Sequence, residues 1–252
     1  MIIINDIDII KDVDGENKTT EQKKAELQSQ AKTNGLIDID QAPYDDNECL
    51  YMRKQYQFKP GVSVLVGCNG TGKTTLLDMI KERMRKAKIP CIMYDNLHDG
   101  GHQARSTAFF FEQMELGATL MCSSEGEQIS INIANMATKI GKFVRENRGK
   151  PEIWILFDAI DSGLSVDNIV DVKDNLFRII LEDNKDSDVY IIVSANEYEM
   201  CRGEQCFAVT TGEYMVFNDY ESYREFVLNS RKLKDQRYQK TERTKKKGKR
   251  YE

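Results

Sequence analysis

The chain has 252 residues, of which 40% are hydrophobic and 31% charged, so we expect an ordinary soluble domain with a substantial core. No run approaches the roughly 20 apolar residues that a membrane helix needs. The apolar start reaches Asp6 without any basic segment, which argues against a secretory signal. These features predict a cytoplasmic protein without membrane contact.

Charge is distributed unevenly along the chain, whose net charge is −5. Residues 231–252 hold eleven of the 36 basic and three of the 41 acidic residues, so this tail carries +8 and the remainder −13. We therefore expect an acidic folded body and a basic, flexible tail. Two interpretations of the tail stay open: a solvated terminus, or a sequence-independent contact with nucleic-acid phosphates.

The segment before residue 50 combines apolar and polar stretches. The sequence pattern predicts a strand over residues 1–13, an exposed helix over residues 18–34 and a further strand over residues 36–39. Another strand is expected over residues 50–58. We treat residues 1–49 as an N-terminal segment of β and polar helical character.

A glycine-rich loop, Gly67–Thr74, follows the apolar run 62–66 and precedes a helix pattern that reaches Lys88. Strand, Gly-x4-Gly-Lys-Thr loop and helix in this order are the context of a nucleotide phosphate loop. Glycines allow the backbone N–H groups to surround the β-phosphate, because side chains would disfavour the required conformations. Lys73 would bind the β- and γ-phosphates, and the Thr74 hydroxyl would ligate Mg²⁺. We therefore expect ATP and Mg²⁺ as cofactors.

Strands and helices alternate over the rest of the chain. Strands are expected at 91–94, 153–157 and 189–193, helices at 104–117, 125–148 and 166–181, and a terminal hairpin at 207–217. This alternation predicts an α/β fold with a mainly parallel sheet flanked by helices and an antiparallel β portion. Asp158 follows an apolar strand at the sheet edge where ligands bind. It would hold Mg²⁺ through water, with Thr74 as the inner ligand, or it would cap the next turn.

Three ordered segments resemble motifs of the ABC-type ATPase superfamily. Gly67–Thr75 resembles its Asn-Gly phosphate loop, Ser124–Gln128 its signature motif, and Asp158–Ser165 its Walker B and D-loop segment. That superfamily includes transporter motors and the SMC and RecF-like DNA-maintenance ATPases. The resemblance covers residues 50–200 and implies a P-loop NTPase fold of ABC type, in a compact form without a coiled-coil insertion.

The resemblance also implies an ATP-dependent, head-to-tail homodimer. Ser124 and Gly126 of one subunit would contact the γ-phosphate that Lys73 of the other subunit holds. A helix N-terminus with a small hydroxyl residue is an anion site, although Ser124 would also serve as a plain N-cap with Glu127. The implied nucleotide-binding residues are Gly67, Asn69, Gly70, Thr71, Gly72, Lys73, Thr74, Thr75, Ser124 and Gly126, and the implied metal ligands are Thr74 and Asp158.

Two departures from the family pattern concern hydrolysis. Ala159 stands where the family usually carries glutamate, and Ala195 or Asn196 stands where a histidine is expected. The attacking water therefore lacks its usual base. Either Asp161 substitutes from the following turn, or the alanine is an engineered trap, and in both cases hydrolysis should be slow or should depend on a partner. The candidate catalytic residues are Asp158, Asp161 and Gln103.

The interval between the phosphate loop and the signature motif is short, with 51 residues from Lys73 to Ser124. It leaves no room for the coiled coil of SMC-type heads or the larger helical subdomain of transporter motors. Gln103 lies in a polar loop where the family carries a glutamine that touches Mg²⁺ and the attacking water; the alternative is a solvent-exposed loop. Tyr51 and Tyr56 are candidates for stacking on adenine, and core packing explains them equally well.

The favoured function is an ATP-binding, ABC-type ATPase-like protein that acts as a nucleotide-dependent dimerising switch in nucleic-acid-related processes. Residues 50–230 would form the ATP-binding domain, and residues 231–252 the tail that contacts nucleic acid. One alternative is a non-hydrolysing regulatory module that binds a protein partner. A transporter motor subunit is less favoured.

Overall fold

Alternating strands and helices build the part of the chain that the structure describes. The structure is a computed structural model that describes residues 32–41, 49–95 and 125–248, with only the backbone for 125–131 and 240–248. The strands are β1 (Leu36–Asp38), β2 (Gln55–Gln57), β3 (Gly61–Val66), β4 (Cys91–Asp95), β5 (Glu152–Asp158), β6 (Asp188–Ser194), β7 (Gln205–Ala208) and β8 (Glu213–Met215). The helices are α1 (Lys73–Ala87), α2 (Glu125–Glu146), α3 (Val166–Asp171), α4 (Arg178–Asp183), α5 (Tyr198–Cys201) and α6 (Tyr220–Gly248), and a π-helical segment, Val172–Phe177, joins α3 to α4.

A six-stranded sheet in the order β4-β5-β6-β3-β7-β8 lies at the centre of this fold. Neighbouring strands from β4 to β7 are parallel, and β8 pairs antiparallel with β7. Strands β1 and β2 form a separate antiparallel pair in which Ile37 lies opposite Tyr56. The predicted α/β fold with a mainly parallel sheet and an antiparallel portion is confirmed.

Helices flank the sheet because its inner strands bury side chains on both faces. All seven residues of β5 are buried, and successive side chains of a strand point to opposite faces. Ile155 belongs to one core cluster with Met136 and Ile140 of α2, whereas Trp154 belongs to a second cluster with Leu76 of α1. Continuous apolar strands of this kind are typical of parallel sheets that helices cover on both faces.

The helix expected over residues 166–181 is present but is not uniform. A π-helical segment separates α3 from α4. Within it, the buried residues Val172 and Phe177 are five positions apart, and the i→i+5 bonding of a π turn brings residues at that spacing to one face. A periodicity of 3.6 residues does not predict this segment.

The carboxylate of Glu152, at the amino end of β5, anchors the segment before β1. Glu152 is only 1% exposed. It accepts hydrogen bonds from the backbone N–H groups of Thr33 (2.9 Å) and Asn34 (3.2 Å), from the Thr33 hydroxyl, and from the indole of Trp154 (2.6 Å). Such partners offset the desolvation cost of a buried carboxylate. The β1–β2 pair therefore attaches to the sheet through a buried polar contact as well as through apolar packing.

Most predicted elements after residue 60 are confirmed, with small shifts of their ends. The strands at 62–66, 91–94, 153–157 and 189–193 and the helices at 74–88 and 125–148 correspond to β3, β4, β5, β6, α1 and α2. The strand at 36–39 corresponds to β1, whereas β2 covers only the last part of the expected strand 50–58. The strand at 1–13, the helix at 104–117 and nearly all of the helix at 18–34 lie outside the described residues.

The carboxyl end of the chain differs most from expectation. The hairpin β7–β8 is not terminal, because the long helix α6 follows it. The basic segment that was expected to form a tail from residue 231 continues α6 as far as Gly248, so residues 231–248 are helical, and their flexibility stays a prediction. Side chains of α6 bind the phosphate loop, and a local sequence pattern does not reveal such contacts. No helix in the described ranges is both long enough and apolar enough to cross a membrane.

Candidate functional site

The phosphate loop connects β3 to α1 and closes tightly on itself. Gly67 has φ 154° and Gly72 has φ 92°, conformations that residues with a Cβ rarely adopt. A Cβ on Gly67 would lie 2.6 Å from the Thr71 hydroxyl oxygen, and that hydroxyl donates a hydrogen bond to the Cys68 carbonyl at 2.9 Å. The loop glycines therefore permit both the turn and its close packing.

Helix α1 begins at this loop without a capping side chain. Gly72 is its N-cap, no side chain caps its first turn, and that turn contains no acidic residue. The free N–H groups and the positive end of the helix dipole make such a terminus suited to an anion. Lys73 and the exposed hydroxyl residue Thr74 occupy the first two helical positions.

The ammonium group of Lys73 is buried within the site. Lys73 is 9% exposed, and its Nζ donates a hydrogen bond to the Gly67 carbonyl at 2.9 Å. Burial lowers the pKa of Lys73, while the negative charges of Asp161 and Asp158 act in the opposite direction. A buried cation of this kind is stabilised further by an anionic ligand, because the ligand supplies the counter-charge that water no longer supplies.

Asp158 ends β5 and is positioned by the neighbouring strand β6. It is 6% exposed, and its Oδ1 accepts a hydrogen bond from the Ser194 hydroxyl at 2.6 Å. The Ser194 Oγ in turn accepts a hydrogen bond from the Ala159 backbone N–H at 3.3 Å. The polar ends of two adjacent parallel strands therefore meet at the sheet edge, where ligands of open α/β sheets bind.

A cavity of about 360 Å³ joins the phosphate loop to this sheet edge. Its lining consists of Leu50, Tyr51, Asn69, Gly70, Thr71, Gly72, Lys73, Thr74, Thr75, Asp158, Ala159, Ser194, Asn196 and Tyr238. The structure thus brings most of the predicted loop residues together with Asp158. Gly67 is absent from this lining and contributes the carbonyl that binds Lys73.

Of the remaining predicted site residues, the structure describes the side chain of Asp161. Gln103 and Ser124 lie outside the described residues, and Gly126 is the second residue of α2, where only the backbone is described. Asp161 is described and is 1% exposed. It is not part of the cavity lining.

Asp161 instead holds the turn after β6. Its Oδ2 accepts hydrogen bonds from the backbone N–H groups of Asn196 (2.6 Å) and Glu197 (2.7 Å). Its Oδ1 is buried without a hydrogen-bond partner among the described residues. Burial raises the pKa of Asp161, and the two backbone hydrogen bonds partly oppose this. The carboxylate therefore stabilises the turn that contains Asn196, which is a residue of the cavity lining.

The two tyrosines considered for base stacking differ in position. Tyr56 is 1% exposed, and its hydroxyl donates to the Val209 carbonyl at 2.6 Å, so it is a core residue. Tyr51 lines the cavity, and its hydroxyl donates to the Gly72 carbonyl at 2.7 Å. It thereby fixes the last turn of the phosphate loop.

Helix α6 forms part of the site, which sequence reasoning missed. The Ser230 hydroxyl accepts a hydrogen bond from the Cys68 backbone N–H at 3.3 Å. Lys234 Nζ donates to the Asn69 carbonyl at 2.6 Å, and Tyr238 lines the cavity. These helix residues are four apart and share one face, but they are mostly polar, so hydrophobic periodicity does not mark that face.

The described residues can supply part of a magnesium site. They contain no group of three or more His, Cys, Asp or Glu side chains that could hold a metal. Mg²⁺ is usually bound by one or two protein oxygens together with phosphate oxygens and water. The Thr74 hydroxyl and the Asp158 carboxylate, which line the same cavity, fit that minimal set.

Comparisons with known proteins add no assignment. No protein-family model matches the chain, and a search of curated proteins finds no match. The chemistry of the cavity is therefore the basis for a function.

Proposed function

We propose that this chain is an ABC-type P-loop protein that binds ATP and Mg²⁺ in the cavity between the phosphate loop and the ends of β5 and β6. One observation carries the proposal: Lys73 and Thr74 of the loop line the same cavity as Asp158. This combination unites a phosphate-binding cation, a hydroxyl ligand and a carboxylate at a helix N-terminus. It also explains why Lys73 is buried although none of the described carboxylates is hydrogen-bonded to it.

The residues have distinct roles in binding. Backbone N–H groups of the phosphate loop and Lys73 bind the β- and γ-phosphates. Thr74 ligates Mg²⁺ directly, and Asp158 holds it through water, with Ser194 fixing the carboxylate through its 2.6 Å hydrogen bond. Bound Mg²⁺ supplies neutralisation of phosphate charge.

Hydrolysis is proposed to be slow or partner-dependent. Asp158 is the only carboxylate in the cavity lining drawn from the described residues, and Ala159 follows it there. Asp158 is assigned to the metal, so it is unsuited to act as the base for water. The buried position of Asp161 supports a structural role for that carboxylate more than a catalytic one.

A thermal-unfolding titration tests ATP binding. Wild-type chain should gain stability with ATP and Mg²⁺ according to the ratio of ligand concentration to Kd. Lys73→Ala should weaken ATP binding by about a hundredfold or more, because a buried charge pair loses one partner. Lys81→Ala, on an exposed position of the same helix, is the matched control and should bind ATP like wild type. An equal response of all three proteins to ATP contradicts the proposal.

A non-hydrolysing, nucleotide-dependent module is the second candidate, and Ala159 favours it. Phosphate release separates the two candidates when wild type, Ala159→Glu and Lys73→Ala are compared. Wild-type release well above the Lys73→Ala background supports a slow ATPase. Release that rises above that background only in Ala159→Glu supports the module.

The proposed switch includes an ATP-dependent homodimer and nucleic acid as a partner of the basic helix end. Mass in solution with ATP and Mg²⁺ should double, and Ser124→Arg should prevent this. Replacing Lys245, Lys246 and Lys247 with glutamine should weaken nucleic-acid binding and reduce its salt dependence. These substitutions leave the α6 contacts with the phosphate loop in place.

A further inference from the structure

The cavity lining separates into two chemical parts. Lys73, Thr74 and Asp158 form a charged and polar part at the phosphate loop and the sheet edge. Leu50, Tyr51 and Tyr238 add an apolar and aromatic part from elsewhere in the chain. A nucleotide has the same division, with a polyphosphate at one end and a flat aromatic base at the other.

We propose that Tyr238 of helix α6 stacks on the base of the bound nucleotide, so that α6 forms the base-binding wall of the site. This inference rests on the proposed binding of ATP. It assigns the base contact to a residue that lies far beyond the phosphate loop in sequence. It also gives the carboxyl-terminal helix a direct part in nucleotide recognition.

The three candidate tyrosines differ in the ring surface that they leave for a ligand. Tyr56 is 1% exposed and packs edge-to-face on Phe207, with ring centroids 5.3 Å apart. Tyr51 is 5% exposed, and its hydroxyl is engaged by the Gly72 carbonyl. Tyr238 lines the cavity and is 46% exposed, so it alone of the three leaves about half of its surface open. Stacking needs an open ring face, which favours Tyr238.

Neighbouring side chains hold Tyr238 beside the loop. One turn earlier, Lys234 Nζ donates to the Asn69 carbonyl at 2.6 Å. In the preceding position, Arg237 donates to the Cys49 carbonyl at 2.6 Å, next to Leu50 of the cavity lining. These two bonds hold the helix turn that contains Tyr238 against the loop and against the segment before Leu50. A tyrosine side chain also loses little conformational entropy when it stacks, which favours binding.

Stacking predicts a specific pattern of affinities. Loss of the protein ring that stacks on a base lowers the affinity for the nucleotide by about tenfold or more. Every base has an aromatic face, so ATP and GTP should lose affinity by the same factor. Tripolyphosphate has no base, so its affinity should not change. A general loss of fold would affect all three ligands.

The experiment measures the affinities of full-length chain for ATP, GTP and tripolyphosphate, each with Mg²⁺, by isothermal titration calorimetry. Tyr238→Ala should lose about tenfold or more for ATP and GTP and nothing for tripolyphosphate. Tyr238→Phe should bind like wild type, because it keeps the ring. Tyr220→Ala is the matched control, since Tyr220 is 58% exposed on the same helix and is not part of the cavity lining.

The outcomes separate this inference from the function on which it rests. If the affinity of Tyr238→Ala for ATP is within twofold of wild type, the stacking role is overturned. The proposed binding of ATP is then unaffected. Parallel loss of tripolyphosphate in Tyr238→Ala also overturns it, because the effect then concerns the phosphate end. Wild-type chain that binds neither ATP nor tripolyphosphate overturns both the proposed function and this inference.

Discussion

The two walls of the cavity are stabilised in different ways. The loop and sheet wall contains Thr71, Lys73 and Asp158, which are 1%, 9% and 6% exposed and belong to elements packed in the core. The helix wall is the part of α6 from Ser230 onward. It is attached through the buried Ser230 hydroxyl, which accepts a hydrogen bond from the Cys68 N–H, and through hydrogen bonds from Lys234 and Arg237 to backbone carbonyls. The lysine and arginine bonds are accessible to water, which competes for their partners, so each contributes about 0.5 kcal/mol, the low end for a hydrogen bond within a protein.

This difference implies that the helix wall opens more easily than the loop and sheet wall. Segments with few buried contacts open locally at a lower free energy than core strands. The loop and sheet wall would then keep its geometry while the part of α6 after Ser230 moves. A nucleotide held by both walls would couple the position of α6 to binding at the phosphate loop.

The largest expected effect concerns the tightness of the loop and sheet wall. In Gly72→Ala, the new Cβ would lie 2.9 Å from Tyr51 Cζ at a residue with φ 92°. We expect a loss of about 2–4 kcal/mol in the free energy of unfolding, from backbone strain and overpacking together. Urea unfolding measures it.

Gly203→Ala is the matched control for that change. Gly203 has φ 77°, and no atom lies within 4 Å of a Cβ placed there. It should therefore lose only the strain contribution, about 1 kcal/mol. Equal losses in the two variants would mean that close packing against Tyr51 does not stabilise this wall.

The next effect concerns the carboxylate that supports the sheet edge. Asp161→Ala removes the acceptor of the Asn196 and Glu197 N–H groups, so we expect a loss of about 2 kcal/mol in the free energy of unfolding. Asp161→Asn keeps an acceptor oxygen and should lose less. If Asp161→Ala and wild type have the same urea midpoint of unfolding, the carboxylate does not stabilise this turn.

The pH dependence of Asp161 has a defined sign. Burial raises its folded-state pKa above the ordinary value of 3.8, so the folded chain binds more protons than the unfolded chain just above that pH. Stability of wild type relative to Asp161→Asn should therefore fall as the pH rises from about 3.8 through the folded-state pKa. Urea unfolding between pH 4 and pH 7 measures it, and an opposite slope would show that the carboxylate is stabilised in its charged form.

The smallest effect on global stability concerns the helix wall. Replacing Lys234 and Arg237 together with methionine should change the free energy of unfolding by about 1 kcal/mol or less. Hydrogen exchange of the α6 backbone around residue 234 should nevertheless become faster. Lys232 bonds only weakly within its own helix, to Asn229 Oδ1 at 3.4 Å, so Lys232→Met should leave exchange unchanged. A loss near 3 kcal/mol would mean that α6 unfolds together with the core.

The loop and sheet wall was largely predictable from the sequence because its chemistry is local. The spacing from Gly67 to Thr74 and the acid after the apolar strand 153–157 identify the residues without knowledge of the fold. Ser194 was not predicted, since its contact with Asp158 depends on β5 and β6 being neighbours in the sheet. Strand order is a property of the whole chain.

The helix wall could not be predicted, for a different physical reason. The face of α6 that meets the loop contains Ser230, Lys234 and Tyr238. Ser230 and Lys234 are polar and hydrogen-bonded to the loop, and the ring of Tyr238 is exposed, so this face has no apolar stripe. The charge of residues 231–252 suggested a solvated tail instead. The sequence likewise identifies Asp161 as a carboxylate near the candidate site, but it does not show that this carboxylate is buried.

The Glu152 contacts set a practical limit on how far the chain can be shortened. Three of its described donors belong to Thr33 and Asn34. A version that begins at residue 50, the predicted start of the ATP-binding domain, would remove them and also the β1 partner of β2. It would leave a buried carboxylate with the Trp154 indole as its described donor. Fragments made for biophysical work should therefore begin before Thr33.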